Sequence, residues 1–379
     1  MSEQHEFLEA TELARRGQNP QGAAVPQAMD GSLKHRTPRE SRFEKVLPFG
    51  QNPELRERYV NFFGGLRIGK LLEELDLSAG MVSYQHAEGW ERGLTIVTAA
   101  CDRIDLTGPL RSDRDLRLLG SVNWVGRSSM EVGLQLSSWH EERWNPVARA
   151  YFIMVSRHGS QAAPVNLLQP ETPEEERRFH EGEQRQAQRR ALAQQSTHEQ
   201  PPSAEESQVL HTLFLERSSG DTGIPMHETL RQSTLLMHPQ SKNIHNKIFG
   251  GYLMREAFEL AWNITYLHCR RRPQFVSVDH MYFYQPVEIG SVLSFTGQVI
   301  YTDPQAMMVE ILSEVIQPST GERQVTNDCF FTFTALDEFG RPASIPAVQP
   351  HTYEEGLKYL DGRRRFQLGE SIRQSKAGG

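Results

Sequence analysis

The first half of the chain returns in the second, residue by residue. Gly120 of "GSVNW" and Gly297 of "GQVIY" stand 177 positions apart (297 − 120), as do Ile104 and Met281 (281 − 104). Further along, "TPEEERRFHEG" and "TYEEGLKYLDG" place Gly182 and Gly362 180 apart (362 − 182). Two copies of this length are a duplicated domain and not a solenoid, whose units run to a few tens of residues. In the first copy Ile68, Leu72, Leu75, Ala79 and Val82 recur at three-and-four spacing, which predicts a helix over residues 66–86. Strand character follows in "GLTIVTAACDRIDL", in "LRLLGSVNWVGRSSMEVGLQLSSW", which folds back at the Gly126 turn, and in "ARAYFIMVSRHG". The second copy opens on a strand, "LRQSTLLMHP", then a helix, "GGYLMREAFELAWNITYLHC", then three further strand-like stretches from "FVSVDHMYFYQPVEIGSVLSFTGQVIY" onward. One long helix followed by antiparallel strands, twice, predicts an α+β fold in which each sheet wraps its own helix. Pairing of the halves would protect the exposed sheet edges. Two independent α+β domains satisfy the same pattern.

Composition sets the boundaries. Residues 1–42 read as a polar, disordered leader, 43–182 as the first domain, 183–209 as a polar helical and linker segment, 210–368 as the second domain, and 369–379 as a flexible tail. With 41 basic against 48 acidic residues the net charge is −7, and no long basic stripe offers itself to nucleic acid. Cys101, Cys269 and Cys329 are odd in number and far apart, which argues for reduced thiols and against a disulfide framework or a thiolate zinc site. His238 and His245 lack a partner at ligand spacing, so no metal is expected. No apolar run approaches the roughly 20 residues of a membrane helix. The leader lacks a signal-peptide apolar core, and Glu3, Glu6, Glu9 and Glu12 are unlike a basic transit peptide. A cytoplasmic chain is the default expectation.

The two helices differ where chemistry would sit. In the first, Asp76 lies seven residues, about two turns, beyond Gly69 and on the apolar stripe, where an acid is disfavoured unless paired or used. In the second, the same step from Gly251 reaches Phe258, the residue a core prefers. Ahead of that helix Asn243 stands seven before Gly250 and eight before Gly251. Consecutive glycines let a ligand approach the backbone and leave the first helical N–H groups available to an oxyanion or a polarised carbonyl. An asymmetric composite site therefore suggests itself, with the acid from one half and the amide and glycine N–H groups from the other. Each piece also has a plain structural reading: a paired or solvated aspartate, a turn asparagine, and a glycine pair that permits tight packing.

At these residues the sequence becomes recognisable. "HPQSKNIHNKIFGGYLMREAFELAW", "VSVDHMYFYQPVEIGS" and "VNWVGRSSMEV", with "LPFGQNPELRERYV", "LLEELD", "PSAEE" and "YLDGRRRF", resemble the double hot-dog acyl-CoA thioesterases, most of all the acyl-CoA thioesterase 9 group, over residues 43–368. The resemblance implies two tandem hot-dog domains, each a long helix wrapped by an antiparallel sheet, pairing into a double hot-dog. It implies hydrolysis of fatty acyl-CoA to fatty acid and CoA without a cofactor, and assembly as a trimer of such chains. A mitochondrial compartment is compatible with it. The site it implies uses Asp76 as general base or nucleophile, Asn243 to orient water or the thioester, and N–H groups of Gly250 and Gly251 as the oxyanion hole. These halves are exchanged relative to relatives with Asn in the first half and Asp in the second. The complementary pair here would be Asn61 and Phe258, and Phe258 cannot act as a base, so one site per chain is expected. For CoA, Arg127, Ser128 and Ser129 of the "VGRSSMEV" turn are candidate phosphate and pantetheine donors. A hot-dog dehydratase, which relies on a His–acid pair, and a catalytically silent acyl-CoA-binding scaffold are the alternatives.

Overall fold

The computed structural model describes residues 33–159, 161–194, 201–218, 223–239, 248 and 250–377. The first half runs β1 (His35–Arg36), β2 (Phe43–Leu47), α1 (Pro53–Glu57), α2 (Ile68–Ala87), β3 (Thr95–Cys101), β4 (Ile104–Leu106), β5 (Leu116–Val125), β6 (Ser129–His140), β7 (Arg143–His158), β8 (Gln161–Ala162), β9 (Leu167–Leu168) and α3 (Pro173–Gln194). The second runs α4 (Ala204–Ser218), β10 (Ile224–Pro225), β11 (Arg231–Leu236), α5 (Gly250–Cys269), β12 (Arg272–Val278), β13 (Met281–Phe283), β14 (Val292–Asp303), β15 (Ala306–Ile316), β16 (Arg323–Leu336), β17 (Pro342–Ala343), β18 (Val348–Gln349) and α6 (Tyr353–Ala377).

The fold is the expected double hot-dog. Fourteen strands form one sheet, and the halves join at its middle through two short antiparallel pairings, β12 with β4 and β13 with β3. The duplication extends to irregularities. β3 is bulged between Thr98 and Ala100 and β12 between Phe275 and Ser277, 177 positions on; β5 and β14 are bulged at Val122/Trp124 and Val299/Tyr301, again 177 apart. Capping boxes open both outer helices. Thr172 and Glu175 exchange side-chain and backbone hydrogen bonds at the start of α3, and Thr352 and Glu355 do the same for α6.

The sheet curves around α2 and α5, which pack against each other. Leu71, Leu72, Leu75, Ala79 and Val82 of α2 and Leu253, Met254, Ala257, Phe258 and Ala261 of α5 are buried in a single core. Each large apolar side chain so buried contributes about 1.5–3 kcal/mol. The helices run antiparallel, since Arg67 meets Glu259, Glu73 meets Arg255 and Asp76 meets Gly251. Glu73 and Arg255 occupy equivalent positions, each four residues past the glycine of its helix, and they pair with each other at 2.9 Å across the pseudo-twofold axis. Glu73 is buried and also bound by Lys70. Two identical halves would bring like charges together here; the diverged halves bring opposite ones.

The leader and the C-terminal tail differ from the sequence reading, whereas the polar helix expected from 183 is present. Within the leader, residues 35–36 pair with β9 and Ser41 is buried with its Oγ donating to Pro38, so order starts before residue 43. The segment from 183 continues α3, whose Arg185 and Arg189 reach the buried Glu131 on β6. The C-terminal segment continues α6, and its Arg373 approaches Asp105. Polar composition suggested linkers because these helices are amphipathic in charge: their arginines satisfy carboxylates on the outer face of the sheet, a partnership invisible along the chain. A double-mutant cycle on Glu73→Gln and Arg255→Gln, followed by chemical denaturation, is expected to return a coupling of about 1–3 kcal/mol. Additive losses would show that this pair does not tie the helices together.

Candidate active site

Asp76 points from the buried face of α2 into the seam between the halves and is 1% exposed. Its carboxylate is gripped on both sides. Oδ1 accepts from Thr98 Oγ1 of β3 at 2.6 Å, and Oδ2 accepts from the Gly251 N–H of α5, also at 2.6 Å. The Gly251 N–H belongs to the first turn of its helix, where amides lack intrahelical acceptors and the dipole favours negative charge. A side chain at Gly250 would put its Cβ 3.2 Å from Asp76 Oδ2 and 3.4 Å from the Thr98 hydroxyl, so glycine is what lets the helix end meet the acid. The bulge after Thr98 adds a residue beside the site, a common device for re-aiming a side chain.

Burial pushes the Asp76 carboxyl up from its usual value to about 6; the Thr98 and Gly251 bonds pull it back in part, and the negative charge of Glu73, one turn earlier, pushes it up further. The group is thus ionised at neutral pH but close enough to neutrality to take up a proton, as a general base requires.

The second, pseudo-symmetric position has lost this chemistry at both places. Phe258 stands where Asp76 does, and Phe275 occupies the position equivalent to Thr98, at the same point before the same bulge. Their rings meet at 5.4 Å and pack with Phe331 and Phe333. Asn61 serves its own loop: Oδ1 accepts from the N–H groups of Phe63 and Gly65, and Nδ2 donates to Leu66 O. This is the turn role that short polar side chains commonly play.

Of the candidates read from the sequence, Asp76, Gly250 and Gly251 come together, while Asn243 and His245 lie outside the described residues. The Gly251 N–H is committed to Asp76 and not left for a substrate oxygen, a consequence of tertiary packing that a helix start cannot reveal. Arg127, Ser128 and Ser129 form the tip of the β5–β6 hairpin, two strands from Thr98. That corresponds to about 10 Å. Ser129 sits in register with Val155 and Val97, so it faces away from the side of the sheet that carries Thr98. Thr98 was missed. The 177-residue offset that pairs it with Phe275 could have found it, since the halves differ there as they do at Asp76 and Phe258. His86 and His268, equivalent in the two central helices, are buried with lowered pKa values, to about 4 for His86; burial is the main cause, and their Nε2 atoms lie 3.0 and 2.8 Å from the Asn166 and Pro346 carbonyls. His238 is exposed, and no cluster of three metal-ligating side chains occurs among the described residues.

The chain is 37% identical over 359 residues to human acyl-coenzyme A thioesterase 9, mitochondrial, a match that covers 90% of this chain and 80% of that one. It belongs to the acyl-CoA thioesterase family. The chloroplastic acyl-coenzyme A thioesterase 2 of Humulus lupulus is 34% identical, with 90% and 83% covered. Among solved structures, an acyl-CoA hydrolase from Staphylococcus aureus aligns with 41% of this chain and 94% of its own length at 25% identity and a TM-score of 0.39. No protein-family model matches the chain.

The raised pKa also predicts how stability responds to pH. Between about pH 4 and 6 the folded protein holds a proton on Asp76 that the unfolded chain has released, so stability falls as pH rises through this window. The loss is on the order of 3 kcal/mol. Asp76→Asn is therefore expected to raise the thermal midpoint at pH 8 more than at pH 4.5; an equal shift at both would mean that the carboxylate carries no burial cost.

Proposed function

We propose that this chain hydrolyses fatty acyl-CoA thioesters to fatty acid and CoA at a single composite site, with Asp76 as general base. One observation carries the reading: a buried, proton-accepting carboxylate from the first half is held by a helix-terminal N–H of the second half and by the Thr98 hydroxyl. Asp76 takes a proton from water as the water oxygen bonds to the thioester carbon. The carbonyl oxygen becomes an oxyanion, stabilised by the Gly250 N–H at the positive end of α5. Asn243, seven residues before Gly250 in the sequence, orients the water or the thioester. Collapse of the tetrahedral intermediate breaks the carbon–sulfur bond, and the proton held by Asp76 passes to the departing thiolate. Water and thioester thus become acid and thiol, with no cofactor required.

Phe258 and Phe275 in the second position support one site per chain. A dehydratase is disfavoured because His86 and His268 are engaged by backbone carbonyls, and a silent scaffold because Asp76 keeps both of its partners. The Arg127–Ser129 turn would serve the CoA portion, whose pantetheine arm readily spans about 10 Å. We read residues 43–182 and 210–368 as the two hot-dog domains and a trimer of chains as the assembly. The named relatives favour an organelle, mitochondria in particular; among the described residues no helix is long and apolar enough to cross a membrane.

Thiol release from acetyl-, octanoyl- and palmitoyl-CoA tests the reaction. Asp76→Ala is expected to fold and to lower kcat by about 10²–10⁴-fold. In the wild type kcat/KM should fall as pH drops through about 6, where Asp76 is protonated. Unchanged turnover in Asp76→Ala would refute the assignment. Single turnover in ¹⁸O-water would refute general-base attack if label entered Asp76. Light scattering is expected to give the mass of three chains.

A further inference from the structure

The central helices differ at a third equivalent position. Gly80 follows Asp76 by four residues, one turn along the same face, and its counterpart in α5 is Trp262, which follows Phe258 by four. In mid-helix glycine costs about 1 kcal/mol relative to alanine, so its presence calls for a reason. Close packing is the reason elsewhere: a Cβ on Gly182, Gly356, Gly362 or Gly369 would meet another atom at 2.5–3.2 Å. At Gly80, among the described residues, a Cβ would meet nothing within 4 Å. The helix thus gives up a side chain beside the acid and leaves open space.

The second half carries an aromatic ring at that position: Trp262 packs 6.1 Å from Phe63 and 5.4 Å from Tyr266. In the first half no side chain stands there. Tyr84, one turn beyond Gly80, stacks on Trp90 at 5.0 Å. Trp90 comes from the link between α2 and β3, which runs through residues 88–94, whereas the matching link in the second half has only residues 270–271. The half that keeps the acid has therefore both removed a side chain one turn from it and lengthened the loop that brings Trp90 onto Tyr84.

We infer that Gly80 sets the bore of the channel that takes the acyl chain away from the thioester, and that it limits the length of chain the enzyme hydrolyses. The inference rests on the reading of Asp76 as the acid of the site. A chain of methylenes gains about 0.8 kcal/mol for each methylene removed from water. A bulky side chain at Gly80 would exclude the long chains first.

The test is thiol release by the full-length chain with acetyl-, octanoyl- and palmitoyl-CoA for wild type, Gly80→Ala, Gly80→Leu and Gly80→Trp, with circular dichroism and thermal melting for each. Gly80→Ala is expected to melt higher, because it removes the cost of a mid-helix glycine without a clash. Gly80→Leu and Gly80→Trp are expected to lose roughly tenfold or more of kcat/KM on palmitoyl-CoA relative to acetyl-CoA, the order of discrimination that pocket sterics provide. If Gly80→Trp does not fold, Gly80→Leu decides. A folded variant with the wild-type chain-length profile overturns the inference. So does an equal loss on all three substrates, which would assign the space to the pantetheine arm. If the wild type releases no thiol from any of them, it is the reading of the site that fails.

Discussion

The rest of the structure depends on the antiparallel packing of α2 on α5. Both helices bury apolar faces in one core, and α2 carries three buried acids there. An unpaired charge in such a place would be strongly destabilising. Glu73 is met by Arg255 and Lys70, Glu74 by Lys45 and the Tyr59 hydroxyl, and Asp76 by an N–H and a hydroxyl. The first two carry full counter-charges. Asp76 receives only dipoles, and burial displaces its pKa upward.

Duplication makes the arrangement possible. In a symmetric pair of identical chains a residue on the twofold axis faces its own copy, and Glu73 would face Glu73. Once the halves are joined in one chain they can diverge, and three equivalent positions have done so together: Asp76 against Phe258, Thr98 against Phe275, Gly80 against Trp262. One side is polar and open, the other a packed aromatic cluster. The outer face shows a milder form of the same divergence. Asp102 and Asp279 are equivalent, the first held by Arg189 of α3 and the second by Arg365 of α6, and the two outer helices thereby close over the middle of the sheet where the halves meet.

Much of this was legible in the sequence. The duplication gave the fold class, because a helix that returns at a fixed offset with the same strands after it can only be a repeated unit. Asp76 stood out because an acid on an apolar stripe has to be paired or used, and Phe258 stood out because it occupies the same place without that burden. The ordered residues before 43 and the continuation of α6 past 368 were not legible, since their contacts are with distant parts of the chain. The glycine pair was read as a site for a substrate oxygen, yet one of its N–H groups holds the acid instead.

The sequence alone determined that the chain is two copies of one α+β unit and that only one of two equivalent positions retains an acid. Both are properties of residue type and spacing, which an offset exposes without coordinates. Only the tertiary structure decided that Thr98 and Gly251 converge on Asp76, that Glu73 pairs with Arg255, and that Gly80 borders open space. Those facts depend on how two helices and a bulged strand approach within hydrogen-bonding range. Burial then raises the pKa of the carboxyl, because a charge loses its solvation only when the rest of the chain has closed around it.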